Sequence, residues 1–543
     1  MLFDIISTVR QYCSPKLIEF VPSKQDGLDS DVDSGAITLK SLIDKNIPEL
    51  RDKNYFLMNP LLTNGHFQTS YAGLQHFENI DKVYYKRKIL NYPDGGIGAI
   101  DFVDVKLTQK RSSNSSDEIN FLKISETDPI IKTYKNKYDL GKLPPRTRYL
   151  TREEIKKLNT NDNNPLLVIL HGLAGGSHEA YVRCLIQEIT SKDYKFDAVV
   201  LNARGCSNSK IVTPRMFNGV WTDDLRCLLS YLKKIYPNKP LYGIGFSLGA
   251  SMLANYLGQE SEESKFTAAC VLCNPWDMYQ SSCYMHSSSN HIGREIYSTV
   301  MTKGLKKLLE NNIDAISKNE LVQKTLNMNF NTSDLKGVIK DKNKIKYLYD
   351  FDDNFTSVMF GFNNANEYYR NGSSILRIPK IRTPLLIINA KDDPIVGDKA
   401  IPRKEVVKNP YIVLCVSDYG GHLGWFTMGN KRWYAKPVSN FFKRFHEDIY
   451  LKKLEIKADE RFMPNPRYFD GSKLIMPDSF SEMKLKENLN EIESGKSDKE
   501  DQNQEGQDNE EEDDDDENNR SNGNEKVENY LQPDLSVKIK SKL

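Results

Sequence analysis

Six short apolar stretches constrain the fold more than any other feature of this chain. They lie at 166–170, 198–201, 241–246, 269–273, 385–389 and 412–416. Runs of this length without polar alternation read as strands buried on both faces. Between several of them lie segments of helical length and spacing, 179–190, 223–235 and 248–258. Strands alternating with amphipathic helices predict an α/β architecture: a doubly wound, mostly parallel sheet. One interval breaks the rhythm, because about a hundred residues separate the fourth run from the fifth. This interval, 278–380, carries helical, aromatic and methionine-rich patches. It is expected to form a lid over the carboxyl ends of the strands, where open α/β sheets bind ligands.

The flanks are less regular. Residues 1–80 form a leading segment of mixed character, and 83–105 reads as a hairpin around Pro93-Asp94-Gly95-Gly96, residues that suit a tight turn. A Lys-, Asn- and Ser-rich stretch at 107–163 is expected to be a polar surface insertion within a catalytic unit of 81–450. Residues 451–543 are expected to be an extension, largely disordered and acidic. Between 481 and 530 there are 19 acidic and 6 basic side chains, a local charge of −13 in a chain whose total is +1. The remainder is therefore basic by about +14, which suits anionic lipid surfaces or phosphate-bearing acyl carriers and equally suits lysines spread over a soluble surface. No basic-aromatic cluster points to nucleic acid.

The eight cysteines are scattered through core and lid and are expected to be free thiols. Cys270 and Cys273 form a C-x-x-C inside a run that reads as a buried strand, with no second ligand pair at metal spacing. Core packing is the expected role, and neither a metal nor a cofactor is expected. The start Met1-Leu2-Phe3-Asp4 places an acid where a signal peptide has basic residues, and no apolar run approaches the ~18 residues of a membrane-spanning helix. The last three residues, Ser541-Lys542-Leu543, match the peroxisomal import address read by a receptor. A peroxisomal location is the expectation, with cytoplasm or a lipid-droplet surface as the alternatives.

The chemistry centres on Gly245-Phe246-Ser247-Leu248-Gly249. An apolar run precedes it and a helix-like segment follows, so Ser247 falls at a strand-to-helix turn whose small residues permit a sharp elbow. A serine hydroxyl needs a neighbouring base to become a nucleophile. His422, in Tyr419-Gly420-Gly421-His422-Leu423-Gly424 just after the run 412–416, is the best-placed histidine. Asp393, after the run 385–389, is expected to orient that base, in preference to the adjacent Asp392. The loop His171-Gly172-Leu173-Ala174-Gly175-Gly176 follows the first run, and the N–H groups of Leu173 and Leu248 are the candidate oxyanion donors. His171 is read as stabilising its loop, and His178 as facing the site entrance.

Beyond these residues, several stretches recur in family order: Asn59-Pro60 with Gly65-His66-Phe67-Gln68-Thr69, Pro145-Arg146-Thr147-Arg148-Tyr149-Leu150, Ser177-His178-Glu179, Asn202-Ala203-Arg204-Gly205-Cys206, Cys273-Asn274-Pro275-Trp276-Asp277, and Gly361-Phe362 with Glu367-Tyr368-Tyr369. Over about 50–450 the chain resembles the fungal branch of the α/β-hydrolase proteins that includes medium-chain fatty acid ethyl ester synthase/esterases and a related monoacylglycerol lipase. The resemblance implies the α/β-hydrolase fold and a triad at Ser247, Asp393 and His422. It also implies small-molecule substrates: medium-chain acyl esters, monoacylglycerols, or acyl-CoA when an alcohol replaces water. An H-x-x-x-x-D motif starting at the catalytic histidine is found in some relatives. Here Thr427 stands at its acidic position.

The leading expectation is a serine esterase or lipase working through an acyl-serine. The alternatives are an acyl-CoA:alcohol O-acyltransferase and, from another class, a non-catalytic scaffold whose acidic tail recruits partners.

Overall fold

The computed structural model describes residues 5–22, 37–75, 77–110, 115–123, 142–158, 163–326, 332–341 and 344–458. Fourteen strands are present among them: β1 (Ile6–Cys13), β2 (Glu19–Pro22), β3 (Ile37–Thr38), β4 (Tyr55–Leu57), β5 (Tyr85–Asn91), β6 (Ile97–Val103), β7 (Thr147–Tyr149), β8 (Leu166–Leu170), β9 (Asp197–Asn202), β10 (Leu241–Phe246), β11 (Ala268–Leu272), β12 (Leu385–Ala390), β13 (Ile412–Ser417) and β14 (Leu454–Lys457). Eleven of them make one sheet in the order β4-β1-β13-β12-β11-β10-β8-β9-β6-β5-β7. The six apolar runs are its parallel centre, β13 to β9. Every residue of β8, β10, β11, β12 and β13 is buried. Helices cover both faces, which explains why these strands lack alternation.

Antiparallel pairings flank the parallel centre on both sides, and β7 is added outermost, parallel to β5. The expected hairpin is β5 and β6, paired from Tyr85↔Val103 to Asn91↔Ile97, and β6 joins β9. Its turn places Gly95 at φ +80°, a conformation that glycine adopts without strain, and Asp94 Oδ1 accepts the Gly96 N–H at 2.9 Å. At the other edge β1 pairs with β13 and β4 with β1. The leading segment is thus part of the central sheet.

Two expectations about the flanks need correction. The stretch 107–163 is not wholly a surface insertion: Thr147–Tyr149 adds to the sheet beside β5, and all three residues are buried. A three-residue edge strand among lysines and asparagines is too short to show a period. Parts of that stretch, 111–114, 124–141 and 159–162, lie outside the described residues. At the other end β14 pairs with β2, which also pairs with β3, so regular structure continues past 450, at least to Lys457. The acidic tail and its final tripeptide lie outside the described residues.

The interval between β11 and β12 is helical as expected, from Met278–Met285 through Thr299–Asn311 to Ala365–Gly372. Its residues Leu305, Leu309, Ile313, Ile339, Phe351 and Phe355 build a core of their own, joined by Ile211, Met216 and Phe217 from the loop after β9. Leu173 and Leu248 pack against this second core, so the lid rests directly on the elbow. No helix among the described residues is long and apolar enough to cross a membrane. All eight cysteines are unpaired.

Candidate active site

The turn from β10 into the helix Leu248–Glu260 holds Ser247 at φ 53°, ψ −118°. A non-glycine residue in this region is strained, and strain of this kind raises a side chain clear of the backbone. Space is the second requirement. A Cβ on Gly249 would lie 2.4 Å from the carbonyl oxygens of Leu170 and His171, and one on Gly245 2.5 Å from the Gly249 oxygen. The sequence G-x-S-x-G is therefore dictated by the close approach of helix, elbow and neighbouring strand.

Loops at the carboxyl ends of β12 and β13 bring two further groups to the serine. His422 Nε2 lies 2.8 Å from Ser247 Oγ, and His422 Nδ1 lies 2.7 Å from Asp393 Oδ2. A carboxylate accepts only, so Nδ1 carries the proton and Nε2 is left to accept from the serine hydroxyl. Asp393 is fully buried, and its Oδ1 accepts the N–H groups of Ile395 and Val396 at 2.9 and 3.0 Å. The adjacent Asp392 does different work: its Oδ1 accepts the Gly421 N–H at 2.9 Å, holding the histidine loop. Burial, with the neighbouring Asp393 charge adding to it, pushes the Asp392 carboxyl up to about 7.

The loop after β8 abuts the serine, since a Cβ on Gly172 would lie 3.4 Å from Ser247 Cβ. Leu173 and Leu248 line the same cavity as Ser247, and among the described residues neither backbone N–H donates to a protein acceptor. Leu248 is the first residue of its helix, where a free N–H and the helix field both favour negative charge. His171 fastens the loop: Nδ1 donates to the Gly172 carbonyl at 2.7 Å while Nε2 accepts the Ala203 N–H at 3.0 Å. Burial lowers it to about 4, so it stays neutral. His178 lines the outer cleft, with Nδ1 3.4 Å from Ser207 Oγ.

Some supporting residues carry no local signal of their role. Thr69 Oγ1 accepts the His422 N–H at 2.9 Å, and Gln68 Oε1 accepts that of Phe426 at 2.8 Å. Both lie on the helix Gly65–Leu74, which therefore braces the histidine loop from more than 350 positions away. Tyr181 Oη accepts the Gly172 N–H at 2.9 Å. Beneath the loop, Asp101 binds Arg87 through both oxygens and accepts from Ser177 Oγ and Asn202 Nδ2.

Cys273 Sγ, Asp393 and His422 offer ligand atoms within 4.8 Å of one another. Both imidazole nitrogens are already engaged, and burial pushes the Cys273 thiol well above its usual range, away from the thiolate a metal needs. Cys273 instead accepts the Leu423 N–H at 3.3 Å.

Two cavities meet at these side chains. An outer cleft of about 600 Å³ is bordered by Leu74, Val83, Val300 and His422, and Glu78, Arg146 and Glu179 also line it. An inner chamber of about 100 Å³ contains Ser247, Leu173 and Leu248 among methionines 216, 278, 285 and 301. Met301 and Ile395 border both.

Comparison with known proteins places this architecture. Residues 165–406 match the family model described as "alpha/beta hydrolase fold". The chain is 40% identical over 433 residues to the monoacylglycerol lipase of Saccharomyces cerevisiae, covering 79% of this chain and 89% of that protein. It is 37% identical over 414 residues to medium-chain fatty acid ethyl ester synthase/esterase 2 of the same yeast, covering 74% and 88%. It is 30% identical over 261 residues to human phospholipase ABHD3, covering 48% and 58%. Matched over nearly the whole length of the two yeast proteins, this chain belongs to the α/β-hydrolase family.

Proposed function

We propose that the chain is a serine ester hydrolase that cleaves medium-chain acyl esters or monoacylglycerols through an acyl-Ser247 intermediate. The observation that carries this reading is the continuous bonding of Ser247 Oγ, His422 and buried Asp393 at 2.8 and 2.7 Å. As Oγ bonds the ester carbonyl carbon, its proton passes to Nε2, and the carbonyl oxygen becomes an oxyanion facing the N–H groups of Leu173 and Leu248. Collapse of this intermediate breaks the bond to the alkoxy oxygen, which takes the proton from Nε2 and leaves as the alcohol. Water then repeats the sequence on the acyl-serine and releases the acid.

This geometry supports a division of labour between the two cavities. The leaving alcohol must lie beside Nε2, and therefore in the outer cleft that His422 borders. The oxyanion donors border the inner chamber, which takes the acyl chain. The name of each yeast relative, a lipase and a fatty acid ester synthase/esterase, supports a lipid ester as substrate. So does the cleft rim, where Leu74, Ile296 and Val300 are 76%, 52% and 59% exposed and suit contact with a lipid surface. An alcohol replacing water in the second step would make a new ester; with water as the acceptor the reaction is hydrolysis. We further propose peroxisomal import through Ser541-Lys542-Leu543, tested by following a fluorescent fusion with and without those residues.

The test of the activity is turnover of ethyl and glyceryl esters from C4 to C16. Wild type should hydrolyse a medium-chain subset, and Ser247→Ala should lose at least about 10⁴-fold in kcat. Equal turnover by the two proteins would overturn the proposal.

A further inference from the structure

The stretch Gly65-His66-Phe67-Gln68-Thr69 bears none of the triad groups, yet the helix it opens, Gly65–Leu74, meets three parts of the site. At its start the backbone presses on the aspartate loop, where the Asp392 carbonyl leaves no room for a Cβ on Gly65. One turn later Thr69 Oγ1 accepts the His422 N–H at 2.9 Å, and a Cβ on Gly421 would lie 2.7 Å from the same oxygen. The lid is the third part. Tyr297 Oη lies 3.2 Å from His66 Nδ1 and 3.3 Å from Ser70 Oγ, and donates to the His66 carbonyl at 3.2 Å. The His66 and Tyr297 rings are near-parallel, with centroids 5.8 Å apart. Elsewhere the helix is lightly held: Gly65, Gln68 and Thr69 are its buried residues, while Phe67 and Leu74 are 53% and 76% exposed. The lid segment that carries Tyr297 is also tied to the acid loop, since Asn290 Nδ2 donates to the Pro394 carbonyl at 2.9 Å, next to Asp393.

We infer that Tyr297 is a positioning residue for His422, and that the enzyme reacts only with its lid seated on this helix. The inference rests on the ester-hydrolase reading. The Tyr297 hydroxyl fixes the helix, and Thr69 carries that position to the His422 backbone. The imidazole is thereby held between Ser247 Oγ and Asp393. A misplacement on the order of 1 Å in a catalytic group costs about 100-fold in rate, so a small shift of the helix is felt in the chemistry. A lid lifted from His66 and Ser70 frees the helix, and with it the histidine loop. Substrate enters and product leaves while the imidazole is slack, and proton transfer from Ser247 follows once the lid is seated.

The test is kcat and KM, on the ethyl ester that wild type turns over best, for Tyr297→Phe, Thr69→Val, Thr69→Ser and the double variant Tyr297→Phe/Thr69→Val. Thermal melts close to that of wild type select the folded variants. Tyr297→Phe keeps the ring and removes the hydroxyl, and should lower kcat about fivefold with KM within about twofold of wild type. Thr69→Val should lower kcat at least about tenfold, and Thr69→Ser, which keeps an oxygen for the His422 N–H, should recover most of that loss. Because the two residues act in series, Tyr297→Phe should cost less than about twofold when made in Thr69→Val. An equal loss in both backgrounds would overturn the inference. So would a Tyr297→Phe variant that raised KM and left kcat alone, the mark of a direct substrate contact. A wild type inert toward every ester and unlabelled by fluorophosphonate would instead remove the hydrolase reading, and this inference with it.

Discussion

Asp392 and Asp393 show how far a single position can be read before coordinates exist. Both follow the same strand and no period or composition separates them, so the preference for Asp393 rests only on the Pro394-Ile395-Val396 that follows it. Their roles divide in space, one carboxyl reaching His422 Nδ1 and the other the Gly421 N–H. Replacing Asp393 with Asn should cost about 10³ to 10⁴ in kcat, because the amide favours the wrong imidazole tautomer. Asp392→Asn keeps an oxygen for Gly421 and should cost less than about tenfold. Parallel steady-state assays of the two variants check this, and equal losses would contradict the assignment. Thr69 illustrates the opposite limit, since its bond to the His422 N–H spans 353 positions that no local pattern connects.

At the scale of elements, the parallel strands were legible because burial on both faces leaves unbroken apolar runs, as in Leu241–Phe246. The elbow was legible for a related reason: it needs small residues where backbones nearly touch. Gly249 is the sharpest case, with two carbonyl oxygens 2.4 Å from any added Cβ. Gly249→Ala should therefore move the start of the helix Leu248–Glu260 and lower the melting temperature together with kcat. A thermal melt paired with ester turnover checks this, and a variant with wild-type values in both would refute the packing argument. Strand β7 escaped because three residues cannot display a period. The lid was legible as an interruption, but which of its side chains face the chamber depends on how its short helices pack.

Across the whole molecule, the site stands on a sheet whose edges come from distant parts of the chain. The Arg87–Asp101 pair is buried at 1% and 0% side-chain exposure and ties the hairpin to the loop beside Ser247 through Ser177 and Asn202. Removing one partner of such a pair strands the other charge, so Asp101→Ala should lose about 3 to 5 kcal/mol of stability in denaturant unfolding. A loss below about 1 kcal/mol would mean that solvent reaches Arg87. His422 makes Ser247 a nucleophile, and locating the adduct of a fluorophosphonate by peptide mass checks this. One adduct is expected, on Ser247, absent in Ser247→Ala and formed at least about 100-fold more slowly in His422→Ala. An adduct on another residue, or ester turnover that persists with Ser247 unmodified, would contradict it.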